Sequence, residues 1–347
     1  MIRFEDLLKP TPAGLYCPPG DFYVDPVQPV DRAVITHGHS DHARSGHGAV
    51  LATHQTLAIM AERYGEAFTG RRDGVAYGET ASHNGVEITL APAGHVLGSA
   101  QAVIRWKGMT MVVSGDYKRR RDPTCALFEP VPCHVFISEA TFGLPVFVHP
   151  PDADEIGRLV RSLHQFPERT HLIGAYALGK AQRLIRLLRE AGWDRTIHVH
   201  GALERLNRLY QREGVDLGPL ALVEAGKARN VLPGEVVIAP PSATQDRWSR
   251  RFADPVLAFA SGWMLVKARA RQRGVELPLV LSDHADWPEL ITTFTELKPE
   301  EIWITHGREE GLLRWCELNG QKARALRLVG YEEEDDEAGP AVAGSGD

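Results

Sequence analysis

Residues 37–42 read His-Gly-His-Ser-Asp-His, so four side chains of metal-binding types lie within six positions. They directly follow the short stretch 31–36, whose apolar residues have the pattern of a buried strand. Three imidazoles and a carboxylate are poor packing groups, but they are the ligands that hold zinc and similar divalent ions. The run therefore predicts a metal site at the end of a strand. The alternative interpretation is a histidine-rich surface loop.

Four other segments repeat the pattern of an apolar run followed by a titratable side chain. The side chains that follow these runs are His95, Asp116, the pair Asp283 and His284, and His306. Because the carboxyl ends of several strands can meet at one edge of a sheet, these side chains can converge on one site. Each histidine alone is typical of an ordinary loop. Together with residues 37–42, they indicate a single centre.

The candidate metal ligands number seven: His37, His39, Asp41, His42, His95, Asp116 and His306. One tetrahedral zinc ion needs only four ligands, so the sequence predicts two adjacent divalent ions, zinc first and manganese as an alternative. Asp116 is the natural bridge because it stands alone at its strand end. Such a pair activates a water and stabilises an in-line displacement, which is typical of hydrolysis of a phosphodiester or of an activated carbonyl compound.

The composition limits the class of protein. A chain of 347 residues has room for two compact units. No apolar run reaches 18 residues, so no membrane span is predicted, and the first residues lack the order of a signal peptide. The four cysteines are scattered without a C-x-x-C pair, which is typical of reduced thiols. We therefore expect a cytoplasmic protein.

The charge is unevenly distributed along the chain. The formal net charge is −6, but the last 17 residues hold seven acidic residues and no Lys or Arg. Residues 169–274 contain 18 Lys and Arg against nine Asp and Glu, a net charge of +9. A basic segment beside a metal-binding body favours a polyanionic substrate. The alternative is a solvated, charged surface.

The chain has two kinds of sequence pattern, one typical of strands and one of alternating helices and strands. Up to about residue 150, short apolar runs separated by Gly- and Pro-rich turns predict a β-rich unit with one helix over 55–64. Beyond that point, alternating helical and strand-like segments predict a small parallel α/β unit. The strand-then-ligand pattern returns near residue 279. We predict an α/β fold whose parts are a metal-binding domain (1–165 and 278–330), a basic α/β insert (166–277) and a disordered acidic tail (331–347).

The insert contains two candidate sets of phosphate-binding residues. A predicted amphipathic helix over 178–190 places apolar side chains inward and four basic ones outward. A second basic set follows near the end of the insert. The eight residues are Lys180, Arg183, Arg186, Arg189, Lys267, Arg269, Arg271 and Arg273. Each could neutralise one phosphate of a nucleic-acid backbone.

These motifs resemble a known family. Residues 37–42 with His95 and Asp116 resemble the signature of the metallo-β-lactamase superfamily. Segments 138–143, 282–286 and 305–307 resemble three further motifs of its nucleic-acid-processing β-CASP branch, and 177–183 resembles the start of that branch's inserted domain. Segments 92–101, 114–118 and 142–145 are most similar to bacterial ligase-associated DNA exonucleases, which are often described as 3′-end-processing-factor-like. The resemblance covers residues 10 to about 320 and implies an αββα sandwich with an inserted α/β domain.

The resemblance also implies roles for individual residues. One ion would be held by His37, His39 and His95, the other by Asp41, His42 and His306, with Asp116 between them. Asp25 is similar to the acidic residue that braces the histidine loop, although a plain turn residue is an alternative. Glu139 would orient His284. Catalytic roles are thus expected for Asp41, Asp116, Glu139 and His284.

His284 has a role that follows from the chemistry. It ends its own strand and is surplus to the seven ligands. A departing alkoxide needs a proton, and a positioned acid contributes roughly 10²–10⁴ in rate. We therefore predict that His284 is the general acid. The alternatives are a substitute metal ligand or a packed loop residue.

The predicted function is hydrolysis of nucleic acid by a two-metal site. The resemblance implies a DNA exonuclease in ligase-associated repair, working with an ATP-dependent DNA ligase and a helicase and not with a membrane. The presence of His306 is a feature shared with RNA-acting members, so a ribonuclease is the alternative. A small-molecule metallo-hydrolase would have no use for an insert of charge +9, and a non-catalytic binding protein should have lost ligands.

Overall fold

Three β-sheets and seven α-helices form the part of the chain that the structure describes. The structure is a computed structural model, and it describes residues 3–223, 232–326 and 328. The predicted acidic tail, 331–347, lies outside the described residues. None of the helices in the described ranges is long and apolar enough to cross a membrane.

The first part of the chain supplies eleven strands and one helix. They are β1 Lys9–Thr11, β2 Gly14–Cys17, β3 Phe22–Val24, β4 Arg32–Val34, β5 His47–Thr53, α1 His54–Tyr64, β6 Thr69–Val75, β7 Thr80–His83, β8 Val86–Pro92, β9 Ala100–Trp106, β10 Met109–Val113 and β11 Val135–Ala140. Helix α1 begins at His54, one residue before the predicted start, because the Thr53 hydroxyl accepts a hydrogen bond from the backbone N–H of Thr56.

The middle of the chain alternates helices and strands, as predicted. The elements are α2 Asp152–Gln165, β12 His171–Gly174, α3 Lys180–Glu190, β13 Ile197–Val199, α4 Glu204–Arg212, β14 Leu220–Leu222, β15 Val236–Ala239, β16 Val256–Ala260, α5 Lys267–Gln272 and β17 Leu277–Leu279. The chain then returns through α6 Trp287–Leu297, β18 Glu301–Gly307, α7 Glu309–Leu318 and β19 Ala323–Ala325.

Two sheets face each other across one core. The first contains β1 to β6 in chain order, and the second has the order β19-β18-β11-β10-β9-β8-β7. Residues such as Leu15, Ile104 and Trp303 fill the space between them. Helix α1 covers the outer face of the first sheet, while α6 and α7 cover that of the second. The predicted αββα sandwich is therefore confirmed.

The third sheet belongs to the insert and is entirely parallel. Its order is β14-β13-β15-β12-β16-β17. Helices α2, α3 and α4 cover one of its faces through buried residues such as Leu159, Leu184 and Tyr210. Because α2 packs here, we propose that the insert includes this helix and begins near Asp152 rather than at the predicted residue 166. Strand β17 belongs to the same sheet and ends at Leu279, two residues past the predicted end of the insert at 277.

We predict that truncating the α2 contact destabilises the insert before the sandwich. Leu159 is fully buried, so Leu159→Ala should lower the free energy of unfolding by about 2–5 kcal/mol in urea denaturation. Amide hydrogen exchange should accelerate in β12 before β9. Leu318→Ala is the control, since that side chain is exposed. Equal effects of the two substitutions would show that α2 does not pack on the third sheet.

Candidate metal centre

The seven candidate ligands converge at the carboxyl ends of strands in the two sandwich sheets. Four of them lie on the loop that follows β4, His95 follows β8, Asp116 follows β10, and His306 ends β18. Their ligand atoms form two groups, each with separations within 4.8 Å. The groups are His37, His39, His95 and Asp116, and Asp41, His42 and His306.

Asp116 lies between the two groups. Its Oδ2 atom is 3.4 Å from Nε2 of His37, 3.5 Å from Nε2 of His42 and 3.8 Å from Nε2 of His95. In the second group, Oδ2 of Asp41 is 3.5 Å from Nε2 of His42 and 3.8 Å from Nε2 of His306. One carboxylate therefore contacts both groups of ligand atoms.

The residues present fit divalent cations. Nε2 of His37 and Oδ1 of Asp116 are buried and have no hydrogen-bond partner among the described residues. Buried polar atoms are seldom left without a partner, and a cation would satisfy both. Two atoms that bind one tetrahedral zinc at bond lengths near 2.0–2.2 Å lie roughly 3.3 Å apart, close to the His37–Asp116 separation of 3.4 Å.

Asp25 braces the histidine loop from behind. Its Oδ2 atom lies 2.8 Å from Nδ1 of His42 and accepts a 2.6 Å hydrogen bond from the Thr36 hydroxyl. Its Oδ1 atom accepts from the backbone N–H of Thr36 at 2.8 Å. A proton on Nδ1 of His42 directs the Nε2 lone pair into the site, which is the arrangement usual for metal-bound histidine.

Burial and charge set the protonation of the site. Burial, together with the nearby charge of His42, holds the pKa of His37 well below its usual value, and burial lowers the pKa of His95 to about 4. Burial opposes the ionised form of Asp116, but the charges of His42 and His284 outweigh it and hold this pKa well below the usual range. His37 and His95 are therefore neutral and Asp116 is ionised, the forms that bind metal. Burial opposes the charged form of His42, but the charges of Asp116 and Asp41 outweigh it and raise the pKa of His42 well above its usual value, so a bound cation would have to displace that proton.

His284 and Glu139 form a pair beside the first group. Nδ1 of His284 lies 2.9 Å from Oε2 of Glu139, and the His284 ring centroid is 4.6 Å from that of His95. Glu139 also accepts hydrogen bonds from the backbone N–H of Tyr117 at 2.7 Å and from the Thr141 hydroxyl at 2.5 Å. Glu139 thus has a fixed orientation toward the Nδ1 side of His284.

The prediction that the basic residues of α3 point outward is wrong for two of the four. Lys180 and Arg183 are buried, because α3 packs against residues 282–284. Nζ of Lys180 lies 3.0 Å from Oδ1 of Asp283, and Arg183 donates to the Ser282 carbonyl and pairs with Asp152. These two residues connect the insert to the loop that carries His284.

The other predicted basic residues remain partly or fully accessible. Arg186 and Arg189 are half-buried. Arg186 donates to the Asp216 carbonyl, and Arg189 donates to the carbonyls of Leu217 and Trp193. Lys267 and Arg271 are exposed, while the guanidinium groups of Arg269 and Arg273 pack over the rings of Trp263 and Phe259. The structure therefore leaves the α5 set, rather than the start of α3, available to solvent.

The sequence analysis missed three contacts with the site. The Asp283 carbonyl lies 2.9 Å from Nδ1 of His95, and the Leu178 carbonyl lies 3.3 Å from Nε2 of His39. The buried Lys118 ammonium donates to the His284 carbonyl at 3.4 Å. Asp283 is already among the side chains that follow apolar runs, but the contact with His95 is made by its backbone carbonyl. The Leu178 contact depends on a backbone atom, which no side-chain pattern reveals.

Comparison with known proteins identifies a family model and several relatives that match parts of this chain. Residues 24–168 match the Metallo-beta-lactamase superfamily model. A probable DNA ligase of Opitutus terrae is 28% identical over 317 residues, which cover 87% of this chain and 30% of that protein. Cleavage and polyadenylation specificity factor subunit 3 of Dictyostelium discoideum is 31% identical over 224 residues, 54% of this chain and 29% of that protein. Endoribonuclease YSH1 of Mycosarcoma maydis is 29% identical over 198 residues, which cover 46% of this chain and 22% of that protein.

The matched part of the chain, residues 24–168, belongs to the metallo-β-lactamase superfamily. The relatives are consistent with the β-CASP branch that the motifs resemble. The chain spans less than a third of the length of each of these three relatives.

We predict that Arg183 is needed for stability and not as a surface contact. Arg183→Met would leave the buried carboxylate of Asp122 and the half-buried carboxylate of Asp152 without their cation, so the free energy of unfolding should fall by about 3–5 kcal/mol. Arg121→Met is the matched control: it removes an exposed partner of Glu190 and should cost at most about 1 kcal/mol. Denaturation in urea measures both. If Arg183→Met lowers the free energy of unfolding no more than Arg121→Met does, Arg183 is a surface residue and the prediction is wrong.

Proposed function

We propose that this protein is a metal-dependent phosphodiesterase that hydrolyses nucleic acid. The observation that supports it most is the convergence of two ligand groups on Asp116 with the His284–Glu139 pair directly beside them. Hydrolysis of a phosphodiester needs an activated water on one side and a proton source for the leaving oxygen on the other. The two parts of this site match those two needs.

Two sets of residues would hold the ions. His37, His39 and His95 form one set; Asp41, His42 and His306 form the other; Asp116 would contribute to both. Two bound divalent ions, zinc or alternatively manganese, would supply a water nucleophile of lowered pKa and stabilise charge on the phosphate oxygens. Asp25 would hold the remaining proton of His42 on Nδ1, the tautomer that this role requires.

His284 would act as the general acid. Glu139 lies at Nδ1 of His284, so the proton for the departing sugar oxygen would come from Nε2. The Glu139 carboxylate would stabilise the imidazolium before transfer and hold the ring in one orientation afterwards. Thr141 and the Tyr117 backbone fix that carboxylate, so the pair is set before substrate arrives.

DNA is the favoured substrate, in an exonuclease that serves ligase-associated repair in the cytoplasm. The match over 87% of this chain to a protein named as a probable DNA ligase supports DNA and a functional partnership with a DNA ligase. The motif resemblance extends this proposal to an ATP-dependent ligase and to a helicase as a further partner. The relative named as an endoribonuclease supports the second candidate, a ribonuclease. The positively charged insert favours either over a small-molecule hydrolase.

One digestion experiment separates these candidates. End-labelled and circular forms of DNA and RNA are incubated with one preparation, in Zn²⁺ and in Mn²⁺. We expect mononucleotide release from linear DNA and no cleavage of circles. Cleavage of RNA alone would select the ribonuclease, and no cleavage of any polynucleotide would contradict the proposal.

We predict that the purified protein contains close to two metal ions. Asp116→Ala should lose both, because this carboxylate contacts both ligand groups. Asp254→Ala is the control, since that side chain is exposed and distant in the fold, and it should retain both ions. Elemental analysis by mass spectrometry gives the count. A fully active preparation with a single ion would contradict the two-metal proposal.

We predict that His284→Ala keeps both ions but loses turnover by roughly 10²–10⁴-fold on oligonucleotides. The loss should shrink sharply on a p-nitrophenyl phosphodiester, whose leaving group departs without a proton. His164→Ala, an exposed histidine on α2, should behave as wild type. An equal loss on both substrates, or loss of a metal ion, would exclude the general-acid role.

A further inference from the structure

A cavity of about 160 Å³ lies between the histidine loop and residues 176–178 of the insert. On the sandwich side its wall is formed by His39, Asp41 and Arg63, and on the insert side chiefly by Tyr176 and Leu178. The Leu178 carbonyl contacts Nε2 of His39, so the cavity opens directly beside the candidate ligands. A molecule bound in this cavity would lie next to His39 and Asp41.

Arg63 brings a positive charge to this cavity. It lies in the last turn of α1, and its Nη1 atom donates a 2.9 Å hydrogen bond to the Gly38 carbonyl within the histidine loop. Among the described residues, no carboxylate forms an ion pair with Arg63. Its neighbour Glu62 instead pairs with Arg205 and Arg212 of the insert. The Arg63 guanidinium is thus fixed in place at the cavity wall and is not held in an ion pair with a carboxylate of the described residues, although Asp41 lines the same cavity.

Tyr176 brings a half-buried aromatic ring to the opposite wall. The Lys180 ammonium lies 4.8 Å from the centre of this ring, and the Phe259 ring lies 6.4 Å from it. Lys180 is itself held by Asp283, so the tyrosine ring has a rigid support. A supported ring at a cavity wall is a suitable surface for a nucleobase, since bases of every type can stack on it.

We infer that this cavity is a nucleotide subsite, in which Arg63 binds the phosphate next to the scissile one and Tyr176 stacks on a base. The inference rests on the proposed function and adds where the chain of the polynucleotide lies. In this proposal Arg63 takes the phosphate-binding role that was predicted for Lys180 and Arg183. Those two side chains are buried, so they do not contact the substrate directly. The subsite combines one charge-assisted phosphate contact with one sequence-tolerant base contact.

The test is binding of a fluorescein-labelled single-stranded DNA 12-mer, and its RNA equivalent, to metal-loaded His284→Ala protein across a salt series. In that background, Arg63→Gln should raise Kd about tenfold and reduce the log–log salt slope by about 0.7, the value for one phosphate contact on a single strand. Tyr176→Leu should raise Kd about tenfold with the slope unchanged, and Tyr176→Phe should restore the affinity.

Controls keep the outcomes distinct. Arg314→Gln removes an exposed arginine of α7 and should leave both Kd and slope unchanged. Metal content and melting temperature show whether Arg63→Gln has disturbed the histidine loop. If it has, the comparison of Tyr176→Leu with Tyr176→Phe tests the subsite instead. Binding by the parent with no effect of Arg63→Gln or Tyr176→Leu would overturn the subsite alone. No binding of DNA or RNA by the parent would overturn the subsite and the proposed function together.

Discussion

The shared position of Asp116 is the constraint on which the rest of the site depends. Its carboxylate lies within 4 Å of three imidazole nitrogens drawn from both ligand groups, and it is almost fully buried. A buried carboxylate costs several kcal/mol unless cations or hydrogen bonds compensate it. The chain meets this cost by bringing strand ends from two sheets to one point. The strand ends of both sandwich sheets therefore meet at the buried charge of Asp116.

The insert forms a wall of the site and is not a separate attachment. Its Leu178 carbonyl contacts His39, and its Lys180 pairs with Asp283, whose carbonyl lies at hydrogen-bond distance from His95. Displacing the insert would therefore disturb both ligand histidines. Because buried ion pairs contribute little net stability but are costly to break, these contacts favour one relative placement over others.

The sequence predicted the site better than the surface around it. Ligand residues are recognisable because each follows an apolar run, and strand ends must meet where the sheets do. The prediction that all four basic side chains of α3 point into solvent was wrong. Helical periodicity identifies the side of a helix opposite its apolar stripe, but it does not show whether another element covers that side. Arg183 is covered by residues 282–284, which are a hundred positions away in sequence. Likewise, the packing of α2 on the third sheet depends on tertiary contacts that no local pattern contains.

Backbone conformation at the strand ends explains how the side chains are aimed. Gly115 has φ +55°, and a Cβ there would lie 2.7 Å from Oγ1 of Thr36, so only glycine permits the turn that directs Asp116 inward. His306 has φ +55° and Asp25 has φ +44°, conformations that cost non-glycine residues energy. A register shift between Ser138 and Ala140, opposite β18, places Glu139 beside this edge. The regular strands place these residues at the edge of the sheets, and the local irregularities in the backbone orient their side chains toward the site.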